Sequence, residues 1–342
     1  MLTHMPQVDG LRAVALLGVM LAHFLPLNAG VLNFGLFGVS IFFCLSGYLI
    51  TTSLLSIRDQ RFRLRWSVTI RETYLRRWVR LTIPLYVCLA GGFLLNIHPV
   101  RASWSWHALY LSNLYMTLTG DWQGRTIHFW YLAVDCQVFL LWPWFILYTP
   151  KRALLPALIS LVCVAPLLRL TMTLAGANVQ AQDTLPLFWV APIALGAILA
   201  VRPTIRLSVF WPMALAAAFG FRLAYGHLTD QPLETLEYLL MVLGTTWLTW
   251  AVVMNRFPRL TALLQSKPFV LVGAMSYSIY LWHEYADEII QNLPSYTLQH
   301  HAWLRFAAKM AGASTLGVLA WWFVERPLRN VLLARRSVRR VE

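Results

Sequence analysis

Long apolar runs, separated by short connections rich in Arg, Pro or Gly, dominate the chain. Ten such runs fall at about 9–28, 31–55, 81–97, 128–148, 153–175, 186–200, 207–226, 233–254, 268–290 and 304–325. Most approach the ~20 residues that cross the hydrocarbon core of a bilayer. A run of that length in lipid must be helical, because hydrocarbon offers no partner to an unpaired backbone amide. The pattern predicts an all-α, polytopic transmembrane helix bundle of about ten spans. No internal repeat or low-complexity tract interrupts it. The longest connection, 98–127, carries Trp104, Trp106, Tyr110 and Tyr115, which suit an aromatic belt at headgroup level.

Composition agrees. Of 342 residues, 58% are hydrophobic and only 12% charged, about half the charged share of a soluble domain; the mean hydropathy is +0.59. A water-soluble globule is excluded. The net charge of +14 does not imply a nucleic-acid partner, because the Arg residues fall between apolar blocks, where they orient a membrane protein. With the N-terminus inside, twenty-one Lys or Arg fall on inner connections and the tail, and only Arg101, Arg125 and Arg305 on outer ones. Both termini are therefore expected to be cytoplasmic. Cys44, Cys88, Cys136 and Cys163 lie in apolar segments without metal-ligand spacing and read as packing residues. The N-terminus has no basic region or small-residue cleavage site of a signal peptide.

Ionisable groups at membrane depth mark functional sites by default. His23 lies ~16 Å along its helix from Arg12, while Asp135 and His283 each lie ~10 Å below the outer end of theirs. Ser40 and Ser46 fall in the same outer-to-middle layer. Arg12, Arg77, Arg80 and Arg326 lie at the cytoplasmic rim. Guanidiniums suit phosphate, which they grip with paired hydrogen bonds, and a histidine near a carboxylate suits proton transfer. Competing structural roles are open. Asp135 would alternatively form an ion pair with Arg169 or Arg222, and His283 would sit at the outer interface beside Trp282. Glu325 and Arg326 would form a helix-end ion pair or join a donor site. Most of the 58–80 arginine run is explained by topology and anionic lipid.

At these residues the chain resembles the acyltransferase 3 family of integral membrane O-acyltransferases. DGLRAVALLGVMLAHF is similar to its first helix, with the Arg and essential His at Arg12 and His23. GVSIFFCLSGYLIT (38–51), YLRRWVRLTIPLY (74–86), WYLAVDCQVFLLWP (130–143), SYSIYLWHE (276–284) and VERPLR (324–329) resemble its later landmarks, in order. The spaced Arg pair maps to Arg77 and Arg80. The chain departs from the family where Ser40 stands in place of a common Asp, and where Asp135 is followed by Cys136 rather than a second acid.

The resemblance implies acyl transfer, usually of acetyl from acetyl-CoA, to a sugar hydroxyl. The acceptor would be a cell-surface polysaccharide, lipopolysaccharide O-antigen or lipid-linked glycan, and an alternative is a small molecule such as a macrolide. It implies a single membrane acyltransferase domain over 1–342, with core 9–329 and basic cytoplasmic tail 330–342, in the stand-alone form without a fused extracytoplasmic domain. The bacterial inner (cytoplasmic) membrane is the expected location. No bound cofactor or metal is expected; acetyl-CoA is a co-substrate. Arg12, Arg77 and Arg80 would bind the donor, while His23 and Asp135 act in catalysis. Ser40, Ser46, His283 and Glu284 are candidates for acceptor or supporting contacts. The rival from another class is a proton-coupled transporter, against which the absence of an inverted repeat weighs.

Overall fold

A computed structural model describes residues 4–26, 32–59, 66–208, 210–225 and 231–331, with backbone alone at 59, 66–73, 76 and 231–232. Every element in this range is helical. In order these are α1 (Pro6–Phe24), α2 (Phe34–Asp59), α3 (Trp66–Leu94), α4 (Val100–Ala108), α5 (Ser112–Thr119), a 3-10 turn (Gly124–Thr126), α6 (Phe129–Tyr148) and α7 (Lys151–Leu174). Then come α8 (Val179–Thr184), α9 (Pro186–Val201), α10 (Trp211–Tyr225), α11 (Gln231–Val253), α12 (Pro258–Leu264), α13 (Lys267–Gln291), α14 (Tyr296–His300) and α15 (Ala302–Ala320), which runs on through a π-helical segment, Trp321–Glu325.

A helix stands at each of the ten predicted runs. Among the described residues, seven segments are long and apolar enough to cross a membrane: Pro6–Phe24, Phe34–Arg58, Gly124–Tyr148, Lys151–Leu174, Val179–Val201, Leu233–Val253 and Ala302–Val331. The other three runs fall on α3, α10 and α13. Helix α3 begins fifteen residues before its predicted run, so the basic segment is part of the helix rather than a connection. Helix α13 carries Glu284, Asp287 and Glu288 in its last turns, which lowers its hydropathy. The tail beyond 331, with Arg335, Arg336, Arg339 and Arg340, lies outside the described residues, as do Arg61, Arg63 and Arg65.

The chain folds as two compact units. The first comprises Met1–Asp59, Tyr110–Trp122 and Trp130–Ala274. Its tightest crossing joins α2 to α9, where a Cβ on Gly47 would overlap the Ile193 carbonyl and one on Gly196 the Cys44 carbonyl. Small residues let backbones approach closely in membrane helices, where packing replaces the hydrophobic drive. Helix α6 is tied to α2 by Trp142 Nε1, which donates to Thr51 Oγ1 at 3.0 Å. The Arg58 guanidinium donates to the Ile146 and Thr149 carbonyls at 2.9 and 2.7 Å. These are among the carbonyls that a helix C-terminus leaves unpaired, so Arg58 caps α6.

The second unit comprises Gln60–Leu109, Gln123–Phe129 and Met275–Glu342. Here α3 is tied to α13 by Tyr277 Oη donating to the Leu81 carbonyl at 2.6 Å and Cys88 Sγ to the Leu281 carbonyl at 3.3 Å.

The 98–127 stretch folds into α4, α5 and the 3-10 turn. Trp104 is exposed, but Tyr110 is buried at a positive φ of 56°. Its carbonyl accepts from Gln137 Nε2 at 2.8 Å. Among the cysteines, Cys44 and Cys88 are buried as expected, all four are free, and Cys163 is exposed on the helix surface rather than packed.

Candidate functional site

The first unit holds Arg12, His23, Ser40, Ser46 and Asp135. Arg12 and His23 share α1, and both are partly buried. Arg12 Nη1 meets Asp9 Oδ1 at 3.5 Å, one turn earlier, and Asp9 also meets His4 Nε2 at 2.8 Å. Asp9 thus tethers the guanidinium, a partner that sequence reasoning passed over. His23 lies in the last turn of α1. Ser40 is fully buried on α2, and its Oγ has no hydrogen-bond partner among the described residues. An orphaned buried hydroxyl costs about 1–3 kcal/mol, which marks the position as more than packing. Ser46 is partly buried on the same helix.

Asp135 is buried on α6. The two arginines proposed as its structural partners each hold another carboxylate. Arg169 Nη2 pairs with Asp183 Oδ1 at 2.6 Å, while Nη1 donates to the Gln182 carbonyl at 2.5 Å. Arg222 Nη1 pairs with Glu237 Oε2 at 3.1 Å. Gln137, two residues on, joins Asn113 through paired amide bonds of 2.9 and 3.1 Å.

The second unit holds Arg77, Arg80, His283 and Glu284. Arg77 and Arg80 lie one turn apart on α3. Arg80 Nε approaches Glu325 Oε1 at 3.9 Å, and Glu325 is buried and accepts from Ser278 Oγ at 2.7 Å. Glu325 thus faces Arg80 across the packed helices. Arg326 instead lays its guanidinium over the Trp322 ring at 4.1 Å. Of the two roles left open for these residues, the helix-end pair is not the one formed, because successive residues of a helix point in different directions.

Toward the C-terminal end of α13, a polar cluster occupies one face of the helix at positions 280, 283, 284, 287, 288 and 291. His283 is fully buried within the helix packing. Its Nδ1 donates to the Tyr280 carbonyl at 2.7 Å, and Nε2 lies 3.7 Å from Glu284 Oε1. The His128 ring stands edge-on to it, centroids 4.9 Å apart, with Nε2 donating to the Leu281 carbonyl at 3.1 Å. Two imidazoles are thus aimed by carbonyls of one helix, and an imidazole held in this way is equipped to move a proton.

Arg125, from the 3-10 turn, secures that helix face. Its Nε donates to Glu288 at 2.8 Å, Nη1 to Glu284 at 3.3 Å and to Asp287, and Nη2 to Gln291 Oε1 at 2.7 Å. Lys309 of α15 also pairs with Asp287. Sequence reasoning had left Arg125 on an outer connection and Lys309 within a span without a partner. It missed His128, Asp287 and Glu288 altogether. Acidic residues at spacings of three and four inside an apolar run were the available signal.

A family model described as an acyltransferase domain matches residues 5–322. YrhL of Bacillus subtilis is 28% identical over 96% of this chain and 55% of its own length. The peptidoglycan O-acetyltransferase OatA of Listeria monocytogenes is 27% identical over 96% of this chain and 56% of its own. The O-acetyltransferase OatA of Staphylococcus aureus is 25% identical, with 96% and 57% covered. The chain therefore spans a little over half the length of these relatives. No solved structure matches it significantly.

Proposed function

The chain belongs to the acyltransferase-domain family, and from that premise we propose that it is a membrane O-acetyltransferase, moving an acetyl group from acetyl-CoA to a hydroxyl of a cell-surface glycan. The single observation that carries the reading is that the family match runs through every predicted site residue, from Arg12 to Glu284. The O-acetyltransferase names of the Listeria and Staphylococcus relatives favour transfer over the transporter alternative, and the Listeria name adds peptidoglycan to the candidate acceptors. The bacterial cytoplasmic membrane, with both termini inside, suits a cytosolic donor.

In this reading Arg77 and Arg80 hold the donor phosphates, with Arg12 as a further cation and Glu325 orienting Arg80. The thioester reaches His23, whose imidazole takes the proton of the acceptor hydroxyl as the oxygen attacks the thioester carbonyl. The C–S bond then breaks, the new ester C–O bond remains, and the departing thiolate takes a proton, leaving coenzyme A and acetylated glycan. Asp135 steadies the charged imidazole. His283, aligned by Tyr280 and flanked by Glu284, contributes to the acceptor side, and Ser40 Oγ offers an unused hydrogen bond to substrate.

The test is His23→Ala in purified protein reconstituted in lipid nanodiscs, with radiolabelled acetyl-CoA and a glycan acceptor. Loss of a general base lowers turnover about 10²–10⁴-fold, while the protein remains inserted and monodisperse. Turnover within tenfold of the parent overturns the assignment of His23.

A further inference from the structure

One cluster of cations is unexplained by α3 alone. Helix α15 widens into a π-helical segment, Trp321–Glu325, a distortion that often marks functional sites. The residues that follow return their guanidiniums onto its indoles. Arg326 lies 4.1 Å from the Trp322 ring and 5.6 Å from that of Trp321, and Arg329 lies 5.8 Å from Trp321. Stacking of this kind orients a guanidinium while its in-plane N–H groups remain able to fork onto phosphate oxygens. The Trp321 Nε1–H is itself buried and has no hydrogen-bond partner among the described residues. Glu325, in the same segment, reaches Arg80. Glu325 thus brings Arg80 of α3 to the segment on whose indoles Arg326 and Arg329 lie, and the three guanidiniums outnumber that one carboxylate.

From this arrangement we infer that the π-helical segment and Arg326 and Arg329 form a second wall of the phosphate site begun by Arg80, which takes the phosphates of a nucleotide-bearing acyl donor. The inference rests on the proposed use of acetyl-CoA and deepens it. Arg80 takes one phosphate group, while the shelf-mounted Arg326 and Arg329 take another. The chemistry needed is that of a ligand with separated phosphates, which a single phospholipid headgroup does not offer.

Binding of coenzyme A, dephospho-coenzyme A and pantetheine to the full chain in phosphatidylcholine nanodiscs tests this. The parent is expected to prefer coenzyme A to dephospho-coenzyme A. R326Q/R329Q is expected to bind coenzyme A at least about tenfold more weakly, to lose that preference, and to raise KM for acetyl-CoA while kcat holds. W322L keeps both cations but removes a shelf, and is expected to weaken coenzyme A binding several-fold. Repeating the titration with phosphatidylglycerol separates the two phosphate sources. If the double variant alters only the response to anionic lipid, the site belongs to headgroups and the inference is overturned. Unchanged coenzyme A affinity in both variants also overturns it, while the donor reading survives. A parent that binds no coenzyme A at all removes the donor reading and the inference with it.

Discussion

Replacing Arg125 by Gln tests whether the polar face of α13 is held by charge. Arg125 is only 22% exposed, and Glu284 and Asp287 are each 4% exposed. Glutamine keeps some hydrogen-bonding capacity but removes the cation, leaving Asp287 with Lys309 and stripping Glu284 of its arginine. Removing one partner of a buried ion pair costs about 3–5 kcal/mol, because the remaining charge stays desolvated; partial exposure of Arg125 places the expectation near the lower end, about 3 kcal/mol. Unfolding entropy of about 2.1 cal/mol/K per residue over 342 residues converts this to a fall in midpoint of about 4 °C. Thermal unfolding in nanodiscs, followed by circular dichroism, measures it. Adding Glu284→Gln to the Arg125→Gln background removes the stranded charge and should return at least ~0.5 kcal/mol as a coupling energy. A loss below about 1 kcal/mol, or no recovery in the double variant, refutes the reasoning.

Two further perturbations probe packing and a buried titration. Gly196→Val should destabilise by at least about 2 kcal/mol, since overpacked side chains typically cost 1–3 kcal/mol and the new Cβ meets the Cys44 backbone. Gly220→Ala, where a Cβ meets nothing, should be neutral or stabilising; equal effects from both in thermal unfolding would falsify the close crossing of α2 and α9. His107, in α4, is buried, its Nε2 2.8 Å from Ser103 Oγ, and burial pushes its pKa from 6.5 down to about 3. Between those values the unfolded chain binds a proton that the folded chain refuses, so this contribution is present above pH 6.5 and is lost on acidification, at up to about 1.4 kcal/mol per pH unit. His107→Gln should flatten the stability–pH slope between pH 6.5 and 5; an unchanged slope would show that another group sets it.

The Arg12/His23 pair was legible because both residues lie on one helix, where separation follows from the 1.5 Å rise. The same applies to Arg77 and Arg80. Arg125 was misread because its importance depends on the 3-10 turn, which brings it to four residues about 160 positions away. For Glu325 the sequence left a helix-end pair and a donor-site role both open; its partners, Arg80 and Ser278, come from two other helices. The buried Tyr110 was taken for a belt residue because the 98–127 stretch carries no long apolar run, although it folds into two short helices and a turn.

By itself the sequence determined that the chain is an all-helical membrane protein with polar groups at fixed heights on particular helices. That follows because lipid compels backbone amides to pair within a helix, and helical rise sets each residue's height. Only tertiary structure decided which polar side chain answers which. Local periodicity sets the face a residue occupies, whereas partner choice depends on helix rotation and close packing, which are settled by contacts between segments far apart in the chain.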